Sequence, residues 1–248
     1  MHLDVLLLPS ELSARARAET TAVVIDVIRA TTTIVTAFRH GVRSILPVAT
    51  PEEARSARAS LPTTLLAGER GGYRISGFDL GNSPREFAPD VIRDRDVALT
   101  TSNGTKTLRT VGAGRVVAIG AFLNRAATGD WLVSRREDAL IVCSGYEGVL
   151  SLEDAVCAGA IVDRAAAGDG VLTLGDGARA CQVLWKRYAA DIPRLLFETG
   201  WGRHIVAIGL GPDLDLCARL DVTDVVPVMV DGRIGIEADR MTNPGRTV

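Results

Sequence analysis

The 248-residue sequence predicts an α/β fold, a three-layer α/β/α arrangement with a mostly parallel or mixed sheet built from βαβ-like units. Three segments carry this prediction, because each runs from a short β-branched stretch through a polar loop into a helical pattern that ends at glycine. These units begin with "TAVVID", "DVALTT" and "DALIVC" and end at Gly41, Gly112 and Gly168. We expect one domain over residues 1–248, with two closely packed lobes as the alternative.

The other elements follow from the same kinds of pattern. In the first unit, Thr31 is the expected N-cap of the helix. The closing stretch "VVPVMVDGRIGIEA" predicts a hairpin with Asp231 and Gly232 at its turn. Short apolar runs predict further strands at residues 3–8, 44–48, 115–119 and 171–174.

The segment "GERGGYRISGFDLGNSPREFAP", residues 68–89, is the longest without periodicity. Loops of this length inside compact domains are usually functional or disordered. Its polar residues include Glu69, Arg70, Asp79, Asn82 and Ser83. We expect this segment to contribute to a functional site.

The composition of the chain argues against nucleic acid and membranes as partners. Lys and Arg total 28 against 30 Asp and Glu, a formal net charge of -2, so there is no basic excess and we exclude nucleic acid. No run approaches the roughly 20 apolar residues of a membrane span, so we expect no membrane association. The four cysteines lack C-x-x-C spacing, which predicts reduced thiols and a cytoplasmic protein. Whether the chain forms a homodimer stays open.

Polar residues follow several predicted strands. In open α/β sheets, ligands bind beyond the carboxyl ends of the strands, where loops lead into helix N-termini. Asp26 and the segments 101–105 and 143–145 lie at such ends. Helix N-termini bind anions through unpaired N–H groups, and Arg29 and Arg70 would add bidentate contacts. The sequence therefore predicts a site for a small anionic, phosphorylated or sulfonated metabolite.

Carboxylates beside an anion site are repulsive unless a cation intervenes. Asp26, Glu69 and Asp154 therefore suggest Mg²⁺, which binds a few carboxylates together with substrate oxygens. Structural alternatives stay open: Asp26 would cap the following turn, and Asp154 fits a capping box in which it reaches back to the Ser151 N–H. From the residues alone, capping is the favoured interpretation of Asp154.

The motifs "VVIDVIRATTTI", "GERGG", "GFDLGNSP", "TTSNGT" and "SLEDAVCAG", in this order and spacing, resemble the 2-phosphosulfolactate phosphatase family. The resemblance covers most of the chain. It implies an α/β/α fold and a Mg²⁺-dependent phosphatase that hydrolyses 2-phospho-3-sulfolactate to 3-sulfolactate and phosphate. In the family this step belongs to coenzyme M biosynthesis. The resemblance also favours a functional Asp154.

The predicted site combines both lines of reasoning. Asp26, Arg29 and Glu69 are the expected catalytic residues, and Asp26, Glu69 and Asp154 the expected metal ligands. The expected substrate-binding residues are Thr31, Thr32, Arg70, Asn82, Asn103, Gly104, Thr105, Cys143, Ser144 and Gly145.

Three questions stay open at this point. Either water or an enzyme group such as Asp26 or Cys143 attacks the phosphate first, although a packed core thiol is the favoured interpretation of Cys143. The substrate could be another small 2-phospho-hydroxy acid. A third alternative is a non-catalytic binding protein for an anionic metabolite.

Overall fold

The computed structural model describes residues 1–12, 21–113, 115–168 and 172–237. Within these ranges the chain forms one sheet of eleven strands and ten α-helices. The strands are β1 (His2–Leu6), β2 (Thr21–Ile25), β3 (Ser44–Pro47), β4 (Leu65–Arg70), β5 (Tyr73–Arg74), β6 (Asp96–Thr100), β7 (Val117–Gly120), β8 (Ala139–Cys143), β9 (Thr173–Leu174), β10 (Pro227–Val230) and β11 (Arg233–Ile236). The helices are α1 (Ala30–Arg39), α2 (Pro51–Ser60), α3 (Pro89–Ile92), α4 (Gly104–Val111), α5 (Arg125–Arg135), α6 (Leu152–Ala166), α7 (Asp176–Tyr188), α8 (Ile192–Glu198), α9 (Gly200–Ala207) and α10 (Pro212–Cys217).

The strand order in the sheet is β5-β4-β6-β3-β11-β10-β7-β2-β8-β1-β9. It contains two parallel groups, β4-β6-β3 and β7-β2-β8-β1-β9. The antiparallel hairpin β10-β11 joins them, and β5 adds antiparallel to β4 at the edge. The prediction of a mixed, mostly parallel sheet is confirmed.

Strand β2 shows how the sheet is covered on both faces. It is buried along its whole length, and its side chains alternate between two hydrophobic cores. Val23 and Ile25 pack with α6 and α7, whereas Ala22 and Val24 pack with α1 and α4. The sheet is therefore the middle of three layers, as the sequence predicts.

The helices of the three predicted units are present as α1, α4 and α6. The predicted N-cap of the first helix is wrong, because α1 begins at Ala30 and Arg29 occupies the cap position. The Thr31 hydroxyl instead donates a hydrogen bond to the Asp26 carbonyl. This bond fixes the turn between β2 and α1.

The closing hairpin is confirmed as β10 and β11. Asp231 and Gly232 between them have φ values of 52° and 78°, as a two-residue turn of this kind requires. The strand predicted at 171–174 is shorter, since β9 covers Thr173–Leu174 and residue 171 lies outside the described residues.

Two regions differ from the sequence prediction. The segment 68–89 is not a loop throughout, because its first residues end β4 and turn directly into β5. The stretch from 176 to 217 forms α7, α8, α9 and α10, none of which the pattern analysis anticipates. In the described part of the chain, no helix has the length and apolar character needed to cross a membrane.

Candidate active site

One cavity lies where the chain leaves β2, β4, β6 and β8. It encloses about 400 Å³, counting the open space at its mouth. Four carboxylates line it, those of Asp26, Glu69, Glu153 and Asp154. Among the described residues of this lining, Arg29 is the only cation. The carboxyl ends of both parallel strand groups therefore meet at one strongly acidic cavity.

Asp26 follows the last residue of β2 and lines the cavity. Its Oδ1 accepts a hydrogen bond from the Ala30 N–H at 3.3 Å, and its carbonyl accepts one from the Thr31 N–H at 2.9 Å. Asp26 therefore caps the first turn of α1 while its carboxylate faces the cavity. Burial raises the pKa of Asp26 from 3.8 to about 7; the Ala30 N–H lowers it, and the charges of Glu69 and Glu153 raise it further.

Gly104, the first residue of α4, packs directly against this carboxylate. A Cβ at this position would lie 2.7 Å from Oδ2 of Asp26 and 2.5 Å from Cβ of Ala30. Only glycine lets the two segments approach so closely. The turn at Asn103 and Gly104 thus places the partially positive start of α4 beside Asp26.

Glu69 is buried near the end of β4 and joins two loops. Its Oε1 accepts a hydrogen bond from the Ser102 N–H at 2.7 Å. Its Oε2 accepts one from the Gly72 N–H at 2.8 Å and one from the Ser102 hydroxyl at 3.2 Å. Glu69 therefore fixes the β4-β5 turn to the loop between β6 and α4.

Asp154 joins the other pair of loops. Its Oδ1 accepts from the Val27 N–H at 2.8 Å and its Oδ2 from the Gly145 N–H at 3.3 Å. The predicted capping box is wrong, because Asp154 bonds to these N–H groups rather than to the Ser151 N–H, and the N-cap Ser151 makes no side-chain cap bond. Burial raises the pKa of Asp154 well above its usual value, and the Asp26 charge adds to this effect.

Glu153, in the first turn of α6, is a cavity residue that the sequence reasoning missed. It is buried, and burial raises its pKa while the neighbouring Thr199 hydroxyl lowers it. The signal was present in "SLED", but the capping pattern drew the interpretation to Asp154. Both adjacent carboxylates at the start of α6 line the cavity.

Arg29 is buried, and its guanidinium already has two partners. Its Nη1 donates to Oδ2 of Asp213 at 2.7 Å, and its Nη2 donates to the Gly72 carbonyl at 2.8 Å. A guanidinium has five N–H donors, so others remain for the cavity that Arg29 lines. Its charge, however, is balanced by Asp213, which lies on α10 far along the sequence.

Asn82 is a buried amide that lines the cavity. Its Oδ1 has no hydrogen-bond partner among the described residues. Its backbone is held in place, because the Thr33 hydroxyl donates to the Asn82 carbonyl at 2.9 Å. A buried amide oxygen without a partner costs stability, so its retention beside a cavity points to a donor group or a cation that this acceptor contacts.

An aromatic stack forms one wall. The Trp201 ring lies 4.4 Å from the Tyr146 ring and 4.5 Å from the His204 ring, measured between centroids, with both pairs stacked. The His204 Nε2 donates to the Gly71 carbonyl at 3.1 Å. The stack thus joins α9, the β8-α6 loop and the β4-β5 turn around the cavity.

Several predicted residues lie outside the lining. Arg70 donates instead to the Glu69 and Ala49 carbonyls and to the Thr100 hydroxyl. The structure therefore gives Arg70 a role in holding backbone rather than in contacting a ligand.

The predicted threonines are also used internally. The Thr32 hydroxyl donates to the Val27 carbonyl, and the hydroxyls of Thr101 and Thr105 bond reciprocally to each other's backbone N–H groups. Like the hydroxyl of Thr31, they stabilise the helix starts around the cavity.

Cys143 ends β8 and Ser144 follows it, and neither lines the cavity. Cys143 is packed in a hydrophobic core, and burial raises the pKa of its thiol well above the ordinary value. The position of Cys143 therefore supports its interpretation as a packed core thiol. Ser144 donates its backbone N–H to the Ile25 carbonyl at 2.8 Å.

Almost the whole chain is similar to known proteins. The sequence model of the family described as 2-phosphosulpholactate phosphatase matches residues 6–232. The chain belongs to this family.

Several relatives, each named "probable 2-phosphosulfolactate phosphatase", agree with this placement. The Pseudothermotoga lettingae protein is 38% identical over 236 residues, covering 93% of this chain and 97% of the relative. The Synechococcus protein is 42% identical over 219 residues, with 84% and 88% covered. The Clostridium acetobutylicum protein is 32% identical over 235 residues, with 94% and 100% covered. The chain is therefore a phosphatase that acts on a phosphate monoester.

The cavity of this 2-phosphosulfolactate phosphatase family member has the donor chemistry of a divalent-cation site. Its carboxylate oxygens are the ligands that Mg²⁺ prefers, and burial raises the pKa values of Asp26, Glu153 and Asp154 because it removes their charges from water. Among the described residues no group of three or more His, Cys, Asp or Glu side chains has metal-binding spacing. Mg²⁺ does not require one, because it is usually held by one or two carboxylates with water and substrate oxygens.

Proposed function

We propose that the chain is a Mg²⁺-dependent phosphatase that hydrolyses 2-phospho-3-sulfolactate to 3-sulfolactate and phosphate, the reaction of coenzyme M biosynthesis. The observation that carries this proposal is the acidic cavity at the strand ends, in a chain that the family matches over residues 6–232. The cytoplasmic location and the metal requirement are parts of the same proposal.

Charge supports the metal requirement. The substrate carries phosphate, sulfonate and carboxylate groups, and the cavity itself presents four carboxylates and one arginine. Without a cation, binding would bring like charges together in a poorly solvated space, which is strongly unfavourable. A bound Mg²⁺ would balance the carboxylates and withdraw charge from the phosphate oxygens.

Asp26 is the best placed of the proposed ligands, with Glu69 and Asp154 beside it. The oxygens of Glu69 and Asp154 already accept backbone N–H bonds, which orients them. Each carboxylate oxygen has two lone pairs, so these bonds leave ligand capacity. Because Mg²⁺ is usually held by one or two carboxylates, these residues are alternative ligands, and Glu153, which lines the same cavity, is a further alternative.

The side chains of Arg29, Asn82 and Asn103 are the hydrogen-bond donors that we assign to the substrate anions. All three line the cavity, and Asn103 makes no side-chain cap bond to α4. In the net reaction, a water oxygen bonds to phosphorus, the ester P–O bond breaks, and a proton from that water passes to the leaving alkoxide, which becomes the hydroxyl of sulfolactate. Donors fixed by the fold stabilise the charge that develops on these oxygens.

The proposal is tested by phosphate release from a panel of phosphoesters with Mg²⁺ and with EDTA. We expect 2-phosphosulfolactate to be hydrolysed with a higher kcat/KM than 2-phospholactate or 2-phosphoglycerate, and EDTA to abolish turnover. Preference for a panel member without the sulfonate would reassign the substrate to another 2-phospho-hydroxy acid. Tight binding of one member with no phosphate release would favour a binding protein.

A further inference from the structure

The Arg29–Asp213 ion pair lies in a buried network that reaches the cavity from an unexpected part of the chain. The side chains of both residues are 2% exposed, and their closest atoms are 2.7 Å apart. The second carboxylate oxygen of Asp213 accepts a hydrogen bond from the Ser83 hydroxyl at 2.7 Å. Asp213 therefore connects the β2-α1 loop to the loop that carries Asn82.

Both segments held by Asp213 present a group to the cavity. Arg29 lines it with a guanidinium that has more N–H groups than its two bonded ones, and Asn82, next to Ser83 in sequence, lines it with a side-chain amide whose NH₂ group can donate to an anion. Asn82 is also held from the other side by the hydroxyl of Thr33. The network therefore fixes the relative positions of two polar groups that the protein itself leaves incompletely bonded.

A buried ion pair is a poor source of stability. The desolvation of both charges offsets most of their attraction, so well-packed apolar residues would serve folding as well or better. A requirement for geometry explains the pair more directly, because a carboxylate can hold a guanidinium and a hydroxyl in fixed directions at once. An apolar pair would bring no guanidinium to the cavity and would leave the Ser83 hydroxyl, next to Asn82, without this acceptor.

We propose that Asp213 is a positioning residue that holds Arg29 and Asn82 in register for one anionic group of the ligand. This inference rests on the proposed function for the identity of the substrate, but it applies to any phosphate bound in the cavity. Asp213 does not contact the ligand in this scheme. It acts through Arg29 and through Ser83.

The effect of Asp213→Asn on anion binding distinguishes positioning from simple charge neutralisation, because the two predict changes in opposite directions. If Asp213 only neutralised Arg29, then Asp213→Asn would release a full positive charge and strengthen anion binding. If Asp213 positions Arg29 and Asn82, the same substitution weakens binding, because the amide of Asn cannot hold both donors. Inorganic phosphate, titrated calorimetrically in the presence of Mg²⁺, is the probe.

We expect Asp213→Asn to weaken phosphate binding about tenfold or more, and Ser83→Ala, which keeps the charge pair, to weaken it by about threefold. In turnover of 2-phosphosulfolactate, KM should rise more than kcat falls. The matched control is Asp221→Asn, which removes another aspartate paired with an arginine, Arg125, that does not line the cavity. The control should bind phosphate like the wild type.

Binding of phosphate by Asp213→Asn that equals or exceeds wild-type binding would overturn the inference. So would an absence of phosphate binding in the wild type. If Asp213→Asn does not fold, Ser83→Ala decides, with unchanged binding counting against the network. Failure of the wild type to hydrolyse 2-phosphosulfolactate would refute the proposed function only, because the phosphate titration does not depend on that substrate.

Discussion

Asp26 combines two tasks at the scale of a single residue. One carboxylate oxygen accepts the Ala30 N–H of the first helical turn, and the other lies against Gly104 beside the cavity. Burial raises the pKa of Asp26 to about 7, and the charges of Glu69 and Glu153 contribute to this rise. Its ionised form is therefore unfavourable in the cation-free protein.

This pKa makes a prediction for stability against pH. Because Asp26 titrates at about 7 when folded and 3.8 ordinarily, the cation-free folded state binds more protons between these values, and stability falls as pH rises through them. Asp26→Asn removes this loss. In EDTA, we expect the melting temperature of the variant minus that of the wild type to increase from pH 5 to pH 8. At pH 8, we expect Mg²⁺ to stabilise only the wild type. A difference that is independent of pH would refute the assignment.

Gly104 offers a second residue-scale prediction. An added Cβ would collide with Asp26 and Ala30, so Gly104→Ala should cost about 1–3 kcal/mol of stability by overpacking and lower kcat/KM as well. Gly200 is the matched control, since it also begins a helix but a Cβ there meets nothing within 4 Å. Melting curves and initial rates of both variants give the comparison. Equal effects at the two positions would show that the contact with Asp26 has no special importance.

Cys143 is predicted to be dispensable for chemistry. Its thiol lies in the core, outside the cavity lining, and burial holds its pKa too high for a thiolate at neutral pH. Cys143→Ala should keep kcat within about threefold of wild type, with only a packing cost in stability. A loss of several orders of magnitude in a folded variant would instead identify Cys143 as the nucleophile.

At the scale of elements, the cavity depends on loops that buried carboxylates tie together. Glu69 links the turn after β4 to the loop after β6, and Asp154 links the loops after β2 and β8. The sequence predicts that these loops meet, because strand ends of a parallel group share one edge. It does not predict which oxygen takes which N–H, because that depends on side-chain rotamers and neighbours distant in sequence.

The helix α9 supplies the aromatic wall through Trp201, which stacks on Tyr146 from the β8-α6 loop. We expect Trp201→Ala to raise KM about tenfold by opening the wall to water, while Trp201→Phe keeps most of the affinity because a planar ring remains. Substrate kinetics of the two variants give the measurement. Trp131→Phe is the matched control, since Trp131 bonds to Glu237 outside the cavity. Equal KM values for Trp201→Ala and wild type would remove the stack from substrate binding.

At the scale of the whole molecule, the fold class follows from repeated strand, loop and helix patterns with glycine at the helix ends. The region from α8 to α10 does not follow, because these helices have only 7, 8 and 6 residues and their contacts are with residues distant in sequence. Trp201 and Asp213 lie there, so local pattern could not connect them with the site. Asp26, Glu69 and Asn82 were predictable because an interrupted apolar run or a long glycine-rich segment marked them.

The central claim is that this acidic cavity hydrolyses a phosphate monoester with the help of a divalent cation. Phosphate release from 2-phosphosulfolactate by wild type and by Asp26→Asn, each with Mg²⁺ and with EDTA, tests it most directly, with circular dichroism to show that both proteins are folded. We expect turnover of the wild type with Mg²⁺ and none in EDTA, and a rate lower by about 10²-fold or more for the variant with Mg²⁺. Wild-type rates in a folded Asp26→Asn protein, or rates in EDTA equal to those in Mg²⁺, would contradict the account.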